Sequence, residues 1–149
     1  RSNNLYTRGN RLVEMAFSLG TGAFVEYLNA EDEKAPISVF INSQGGEIDN
    51  GLLIYDVIVG SKAPIHMFCA GCAYSMGAVL FVCGKERYML PHSKLMLHEP
   101  LLGGKIGGNA SSIKSISDSL LETKIMMNKL LAQHSGKFHQ YLKILFSSP

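Results

Sequence analysis

The sequence predicts an α/β fold with a mostly parallel sheet covered by helices. Compact apolar runs rich in β-branched residues are typical of buried strands, and here they alternate with helical segments. Such alternation builds parallel sheets with right-handed crossover connections. The length of 149 residues predicts a single domain over 1–149.

The first half of the chain is predicted to hold helices on either side of a strand. One or two short helices are expected within 11–30, the better one over its last eight residues, and the apolar run 37–41 is predicted as a buried strand. Asp49 or Asn50 can cap a helix that runs to about residue 59. Because this helix is apolar nearly all round, we expect it to be buried on several sides.

The second half continues the alternation. A strand is predicted over 64–69, a tight turn at Gly71 and Ala73, and a buried helix over 75–83. The remaining predicted elements are two short strands over 86–90 and 94–98, a glycine-rich loop over 103–108, and a long helix over 111–134 that Gly136 can end.

The bulk composition excludes several functional classes. A net charge of +2 with scattered charges gives no electrostatic footprint for nucleic acid. No apolar run approaches the roughly 20 residues that span a bilayer, and the N-terminus lacks a signal-peptide core. Three cysteines are too few for a disulfide scaffold, so we expect a reducing, cytoplasmic setting.

Ser75 is the first candidate for chemistry. Active sites of parallel sheets lie at the carboxyl ends of strands, and two turns, 43–48 and 70–74, are predicted there. Ser75 follows the second turn at the start of a helix, whose free N–H groups suit a developing oxyanion. The arrangement is that of a nucleophile elbow, although Ala73 replaces the first glycine of G-x-S-x-G. Taken alone, a helix-capping role for Ser75 is the commoner interpretation.

The paired glycines Gly45 and Gly46 follow the first buried strand. Glycine lets the backbone approach a ligand closely and point an N–H group at it. Taken alone, a plain turn is the favoured interpretation of the pair.

His98 is the first candidate for a general base. It ends a predicted strand, and a histidine there can take a proton from a serine. His92 lies in a loop and is a rival candidate. His66 lies within a predicted strand, and His134 and His139 are interpreted as structural.

Cys69 and Cys72 form a lone C-x-x-C pair. Without a second Cys/His pair at zinc spacing, this is weak evidence for a metal or redox site.

Four motifs in order together resemble the proteolytic subunit of the Clp protease. They are Ile-Asn-Ser-Gln-Gly-Gly over 41–46, Ile-Tyr-Asp over 54–56, Gly-Cys-Ala-Tyr-Ser-Met-Gly-Ala over 71–78, and Leu-Pro-His-Ser-Lys-Leu-Met-Leu-His-Glu-Pro-Leu over 90–101. The likeness covers about 23–136, and the linked motifs are far more specific than any one of them.

The resemblance implies a crotonase-like ββα-type fold and peptide-bond hydrolysis by a serine nucleophile. Ser75 would be the nucleophile and His98 the general base. The backbone N–H groups of Gly46 and Met76 would form the oxyanion hole. The subunit itself would need no metal or nucleotide.

The resemblance also implies an assembly. The glycine-rich stretch after Pro100 would be an extended handle strand that pairs with a substrate peptide as an added β-strand. The long helix 111–134 would be the handle helix through which two rings meet. Family members form homo-oligomers of stacked seven-membered rings, and an ATP-driven AAA+ unfoldase feeds unfolded chains into the chamber.

Three features depart from the family pattern. Gln44 stands where the family usually has proline, and Tyr74 where it has a small residue. The axial loops and first strand of the family have no clear counterpart before Leu12. We expect neither substitution to prevent acylation, although Tyr74 can alter packing beside the nucleophile.

A fourth departure concerns the triad aspartate. In the family it lies about a dozen residues beyond the segment that corresponds to His134-Ser135-Gly136, which places it near Pro149. Asp118 and Glu122 lie on the long helix and are not expected to reach His98. Because loss of this aspartate costs roughly 10⁴ in turnover, we expect a very weak protease from a chain incomplete at both ends.

Three alternatives stay open on the sequence. One is an acyl-CoA enzyme on the same fold that uses the Gly46 oxyanion hole without a serine nucleophile. Another is a non-catalytic ring subunit that supports active partners. The least favoured is a Ser-Lys peptidase that uses Lys94 or Lys114.

Overall fold

The computed structural model describes residues 12–14, 19–103 and 105–136. The described residues fall into two compact units divided between Leu97 and His98. Their elements in chain order are β1 (Leu12–Glu14), α1 (Leu19–Glu31), β2 (Ile37–Ser43), α2 (Ile48–Gly60), β3 (Ile65–Tyr74), α3 (Met76–Val82), β4 (Glu86–Met89), β5 (Lys94–Met96) and α4 (Ala110–Ser135). None of the described helices has the length and apolar character that a membrane crossing needs.

The sheet of the first unit is parallel at every described pairing. The strand order is β1-β2-β3-β4, and β5 also pairs with β3. Helices connect β1 to β2, β2 to β3 and β3 to β4, as parallel pairing requires. The predicted α/β class with a mostly parallel sheet is therefore confirmed.

β3 is the central strand and carries two neighbours along one edge. β4 pairs with its first half, where His66 lies opposite Glu86, and β5 pairs with its second half, where Tyr74 lies opposite Met96. Ser93 closes the turn between them, because its hydroxyl donates to the Cys69 carbonyl at 2.7 Å and accepts from the Gly71 N–H at 3.0 Å. This register brings the end of β5 beside the end of β3.

The core lies between the sheet and helices α1, α2 and α3. Buried and half-buried residues alternate along β2 and β3, so the helices cover one face of the sheet. The largest fully buried side chains of this core are Val25, Leu28, Ile37, Val39, Ile41, Ile54, Met67, Cys69, Met76 and Leu80. Burying one aliphatic side chain of this size contributes about 1.5–3 kcal/mol, which explains why the apolar runs predicted the strands well.

The other face of the sheet carries a row of aromatic rings. Phe40 of β2 stacks on Phe68 of β3 with ring centroids 4.8 Å apart, and Phe68 stacks on Tyr88 of β4 at 4.7 Å. Cross-strand aromatic pairs of this kind stabilise a register. They hold β2, β3 and β4 together on this face of the sheet.

Two sequence predictions for the N-terminal half are wrong. Residues 12–14 form a strand within the segment 11–30, where only helices were predicted, because β2 offers a parallel partner that local periodicity does not report. Helix α2 begins at Ile48 with Glu47 in the N-cap position, so Asp49 and Asn50 lie inside the helix and do not cap it.

Helix α2 also differs from the prediction in its burial. Its buried residues are Gly51, Ile54, Tyr55 and Ile58. Leu53 and Val59 are 43% and 48% exposed, although the helix was expected to be buried on several sides. The helix therefore packs through one face and presents apolar side chains on the other.

The second unit holds the long helix α4. The Asn109 side chain caps it by accepting a 2.9 Å hydrogen bond from the Ser112 N–H. Gly136 follows the helix with φ 68°, the left-handed conformation expected of a glycine stop. Residues 97–103 and 105–109 form no strand pairing, and the handle strand, which would pair with a substrate peptide, stays a prediction.

Candidate active site

Ser75 occupies a strained backbone position between β3 and α3. Its φ of 54° and ψ of −122° make it the one non-glycine residue with positive φ among the described residues. Such a conformation costs about 1–3 kcal/mol and persists only where the surroundings enforce it. A serine held on a strained strand-to-helix turn has the geometry of a nucleophile elbow, despite the missing first glycine of that motif.

The capping interpretation of Ser75 is not supported. Ser75 stands in the N-cap position of α3, but its side chain makes no capping hydrogen bond. Its backbone is fixed instead: the Ser75 carbonyl accepts the N–H groups of Ala78 and Val79, and its own N–H donates to the Met96 carbonyl at 2.8 Å. β5 therefore helps to fix the backbone of Ser75 through Met96. The sequence did not predict this role for β5.

Gly45 lies directly against Ser75. Its φ is 98°, and a Cβ placed on it would lie 2.7 Å from the Ser75 Cβ and 2.7 Å from the Tyr74 carbonyl oxygen. It would also lie 3.3 Å from the Met76 nitrogen. A side chain at this position would overlap the backbone, so the loop after β2 approaches the turn after β3 closely only because residue 45 is glycine.

Two backbone N–H groups in this region lack acceptors. In the part of the chain that the structure describes, the N–H groups of Gly46 and Met76 make no hydrogen bond. Met76 is the first residue of α3, where N–H groups have no partner within the helix. Donors of this type can stabilise negative charge on a reacting carbonyl oxygen.

Side chains from β2 tie the Gly45-Gly46 loop to β3. The Ser43 hydroxyl accepts the Gly45 N–H at 3.1 Å, and the Asn42 side-chain oxygen accepts the Cys72 N–H at 3.2 Å. The Cys72 sulfur lies 3.4 Å from Nε2 of Gln44. The sequence motifs include Asn42 and Ser43 but give them no role, since only the pairing of β2 with β3 brings them close to Cys72 and Gly45.

Cys69 and Cys72 make separate contacts in this structure. Both are free thiols on β3; the Cys69 sulfur contacts the Lys94 carbonyl, whereas the Cys72 sulfur contacts Asn42 and the Ser43 carbonyl. Burial raises the pKa of the Cys69 thiol, which disfavours the thiolate that metal binding needs. The described residues contain no group of three or more His, Cys, Asp or Glu that could hold a metal.

His98 belongs to the second unit and is exposed. It lies two residues beyond the end of β5 rather than at the end of the predicted strand. Its Nδ1 is 2.6 Å from the Glu99 carbonyl oxygen, and a Glu99 carboxylate oxygen is 2.6 Å from Nζ of Lys124.

The rival candidates are dispersed. His92 is exposed in the turn between β4 and β5, and His66 is half-buried within β3. Lys94 is exposed on β5, and Lys114 forms an ion pair with Asp118 on α4. His139 and the position predicted for the triad aspartate, near Pro149, lie outside the described residues.

The comparison with known families agrees with the fold and the motifs. A family model described as Clp protease matches residues 15–146. The match covers most of the chain, and the chain belongs to the Clp protease family.

Proposed function

We propose that this member of the Clp protease family is a serine endopeptidase subunit, with Ser75 as nucleophile and His98 as general base. The backbone N–H groups of Gly46 and Met76 form the oxyanion hole in this proposal. The observation that carries it is the strained turn at Ser75, held against Gly45 and beside two N–H groups without acceptors.

The reaction follows from these roles. Ser75 Oγ bonds to the carbonyl carbon of the substrate while its proton passes to Nε2 of His98. The peptide C–N bond then breaks, and His98 gives the proton to the departing amine. Water attacks the resulting ester, its proton passes through His98 to Ser75 Oγ, and the acid product leaves. The two N–H groups stabilise the oxyanion of each tetrahedral intermediate.

Chain connectivity supports the assignment of His98. Met96 accepts the Ser75 N–H, and His98 is two residues further along the chain. A two-residue segment spans at most about 7 Å between Cα atoms. The proposed base therefore lies two residues along the chain from Met96, whose carbonyl accepts a hydrogen bond from the proposed nucleophile.

Assembly into stacked seven-membered rings with an ATP-driven AAA+ unfoldase is part of the same proposal. It rests on the family and is supported by apolar side chains that α4 leaves exposed. Ile113, Leu121 and Ile125 are 48%, 55% and 47% exposed, as expected of a helix that contacts a second subunit. We propose that ATP is used by the unfoldase and that the subunit itself takes no metal, cofactor or nucleotide. The free thiols are consistent with the proposed cytoplasmic setting.

A serine-directed fluorophosphonate tests the proposal. The wild-type chain should be labelled at Ser75, and labelling should be lost in Ser75→Ala and fall at least about a hundred-fold in His98→Ala, as removal of a general base requires. His92→Ala is the matched control and should label like wild type. Absence of labelling in the wild type would favour the non-catalytic subunit or the acyl-CoA enzyme. Loss in His92→Ala with retention in His98→Ala would reassign the base.

Turnover is a separate measurement. Labelling needs only a single attack by Ser75, so a slow attack can still be followed to completion, whereas the expectation of weak turnover concerns the rate of the full cycle without the third triad residue. Hydrolysis of a small peptide ester by labelling-competent protein tests that expectation directly, because a rate close to that of an intact family subunit would contradict it.

A further inference from the structure

We infer that Glu99 and Lys124 position the His98 ring, with the Glu99 backbone carbonyl holding Nδ1 and Lys124 holding Glu99. This inference rests on the proposed function for the role of His98 as base. It uses only residues of the second unit, and it adds a positioning residue, Lys124, that neither the motifs nor the family match assign.

The hydrogen bond determines which ring nitrogen carries the proton. The 2.6 Å contact joins Nδ1 of His98 to a carbonyl oxygen, which can only accept. Nδ1 must therefore be the donor, so the neutral ring carries its hydrogen there. Nε2 then carries a free lone pair. This is the tautomer that a base acting through Nε2 requires.

The ion pair restrains the residue that supplies this carbonyl. Nζ of Lys124 is 2.6 Å from the Glu99 carboxylate, across 25 residues of sequence. The Lys124 and Glu99 side chains are 24% and 37% exposed. Those of the Lys114–Asp118 pair on the same helix are 77% and 54% exposed. A partly buried pair is less screened by solvent and salt than an exposed one. It ties an irregular segment beside His98 to the long helix α4.

The Lys114–Asp118 pair offers a matched control. Both pairs contain a lysine of α4 at the same N–O distance, but Lys114 and Asp118 lie four residues apart on one helix. Lys114→Met removes an equivalent charge from the same helix without releasing Glu99. An effect confined to Lys124 therefore cannot come from the helix or from net charge.

Nitrogen NMR of the full chain reads the tautomer directly. The chain is labelled with ¹⁵N-histidine and studied by magic-angle spinning at about pH 8, and the His98 signals are assigned by their loss in His98→Gln. We expect the Nδ1–H tautomer in the wild type and a shift towards Nε2–H in Lys124→Met and in Glu99→Gln. Lys124→Arg should restore the wild-type signal, and Lys114→Met should leave it unchanged.

The rate of Ser75 labelling supplies a second readout. It should fall about two- to five-fold in Lys124→Met, the range that one such ion pair contributes. The double variant Glu99→Gln/Lys124→Met should fall no further, because the two side chains act as one unit.

The two readouts separate the inference from the function on which it rests. A wild-type His98 in the Nε2–H form, or a tautomer equally unaffected by Lys124→Met and Lys114→Met, would overturn the positioning role. Absence of Ser75 labelling together with a tautomer that responds to Lys124 would refute the peptidase and support the hydrogen-bond arrangement around His98.

Discussion

Gly45 contacts Ser75 so closely that residue 45 has no room for a side chain: a Cβ there would lie 2.7 Å from the Ser75 Cβ. The contact joins the loop after β2 to the turn after β3, and these two segments carry the proposed nucleophile and both proposed oxyanion donors. Changes at this contact should therefore affect the reactivity of Ser75.

Gly45→Ala tests the contact. A side chain at φ 98° is strained by about 1–3 kcal/mol, and the overlap with the Tyr74 carbonyl adds to this. We expect the loop to shift and fluorophosphonate labelling of Ser75 to slow by about ten-fold or more, since about 1.4 kcal/mol corresponds to one decade in rate. Gly60→Ala is the control, because a Cβ at Gly60 meets nothing within 4 Å. Equal labelling rates in the two variants would show that the close approach has no functional consequence.

Ser75→Gly and Ser75→Ala separate chemistry from backbone strain. Both variants lack the hydroxyl and should not label, but glycine adopts φ 54° without a steric penalty. Glycine also loses more backbone entropy on folding than alanine does, which offsets part of this gain. We therefore expect the free energy of unfolding of Ser75→Gly to be about 1 kcal/mol higher than that of Ser75→Ala. Urea denaturation at a fixed protomer concentration measures the difference.

Ser115 supplies the opposite case. It lies within α4, where Ser115→Gly should be less stable than Ser115→Ala by about 1 kcal/mol. If alanine were the more stable substitution at Ser75 as well, the backbone there would not be strained.

Asn42→Ala tests how the site loop is held. The Asn42 side-chain oxygen accepts the Cys72 N–H at 3.2 Å, linking the end of β2 to β3. Losing this acceptor should lower the free energy of unfolding by about 1 kcal/mol and slow the labelling of Ser75. Asn50→Ala removes only an exposed contact with Glu47 and should change neither. Indistinguishable denaturation curves for the two variants would contradict this role for Asn42.

The buried thiol of Cys83 should make the stability of the protein depend on pH. Burial raises the pKa of its thiol to about 12, from a reference pKa of 9.0. Above about pH 9 the unfolded chain loses this proton first, so the native state binds more protons and stability falls as the pH rises towards 12. Urea denaturation at pH 8 and pH 10.5 should show a larger loss for wild type than for Cys83→Ala. An equal loss in both proteins would remove Cys83 as the cause.

Local patterns in the sequence determine much of this fold. Apolar runs predict β2, the first half of β3, and α3, and 3–4 spacing with a glycine stop predicts α4 to within a residue at each end. Ser75 and the Gly45-Gly46 loop can also be found from sequence, because each depends on small residues next to one another in the chain.

Only the tertiary structure decides what joins these segments. β3 continues through Gly71 to Tyr74, where the sequence predicts a turn, because Ser43 of β2 and Lys94 of β5 supply ladder partners. Chain packing likewise sets the positive φ of Ser75 and the ion pair between Glu99 and Lys124. Local periodicity reflects contacts within one or two helical turns. Sheet pairing and long-range ion pairs join residues 20 to 30 positions apart, so no local sequence pattern predicts these contacts.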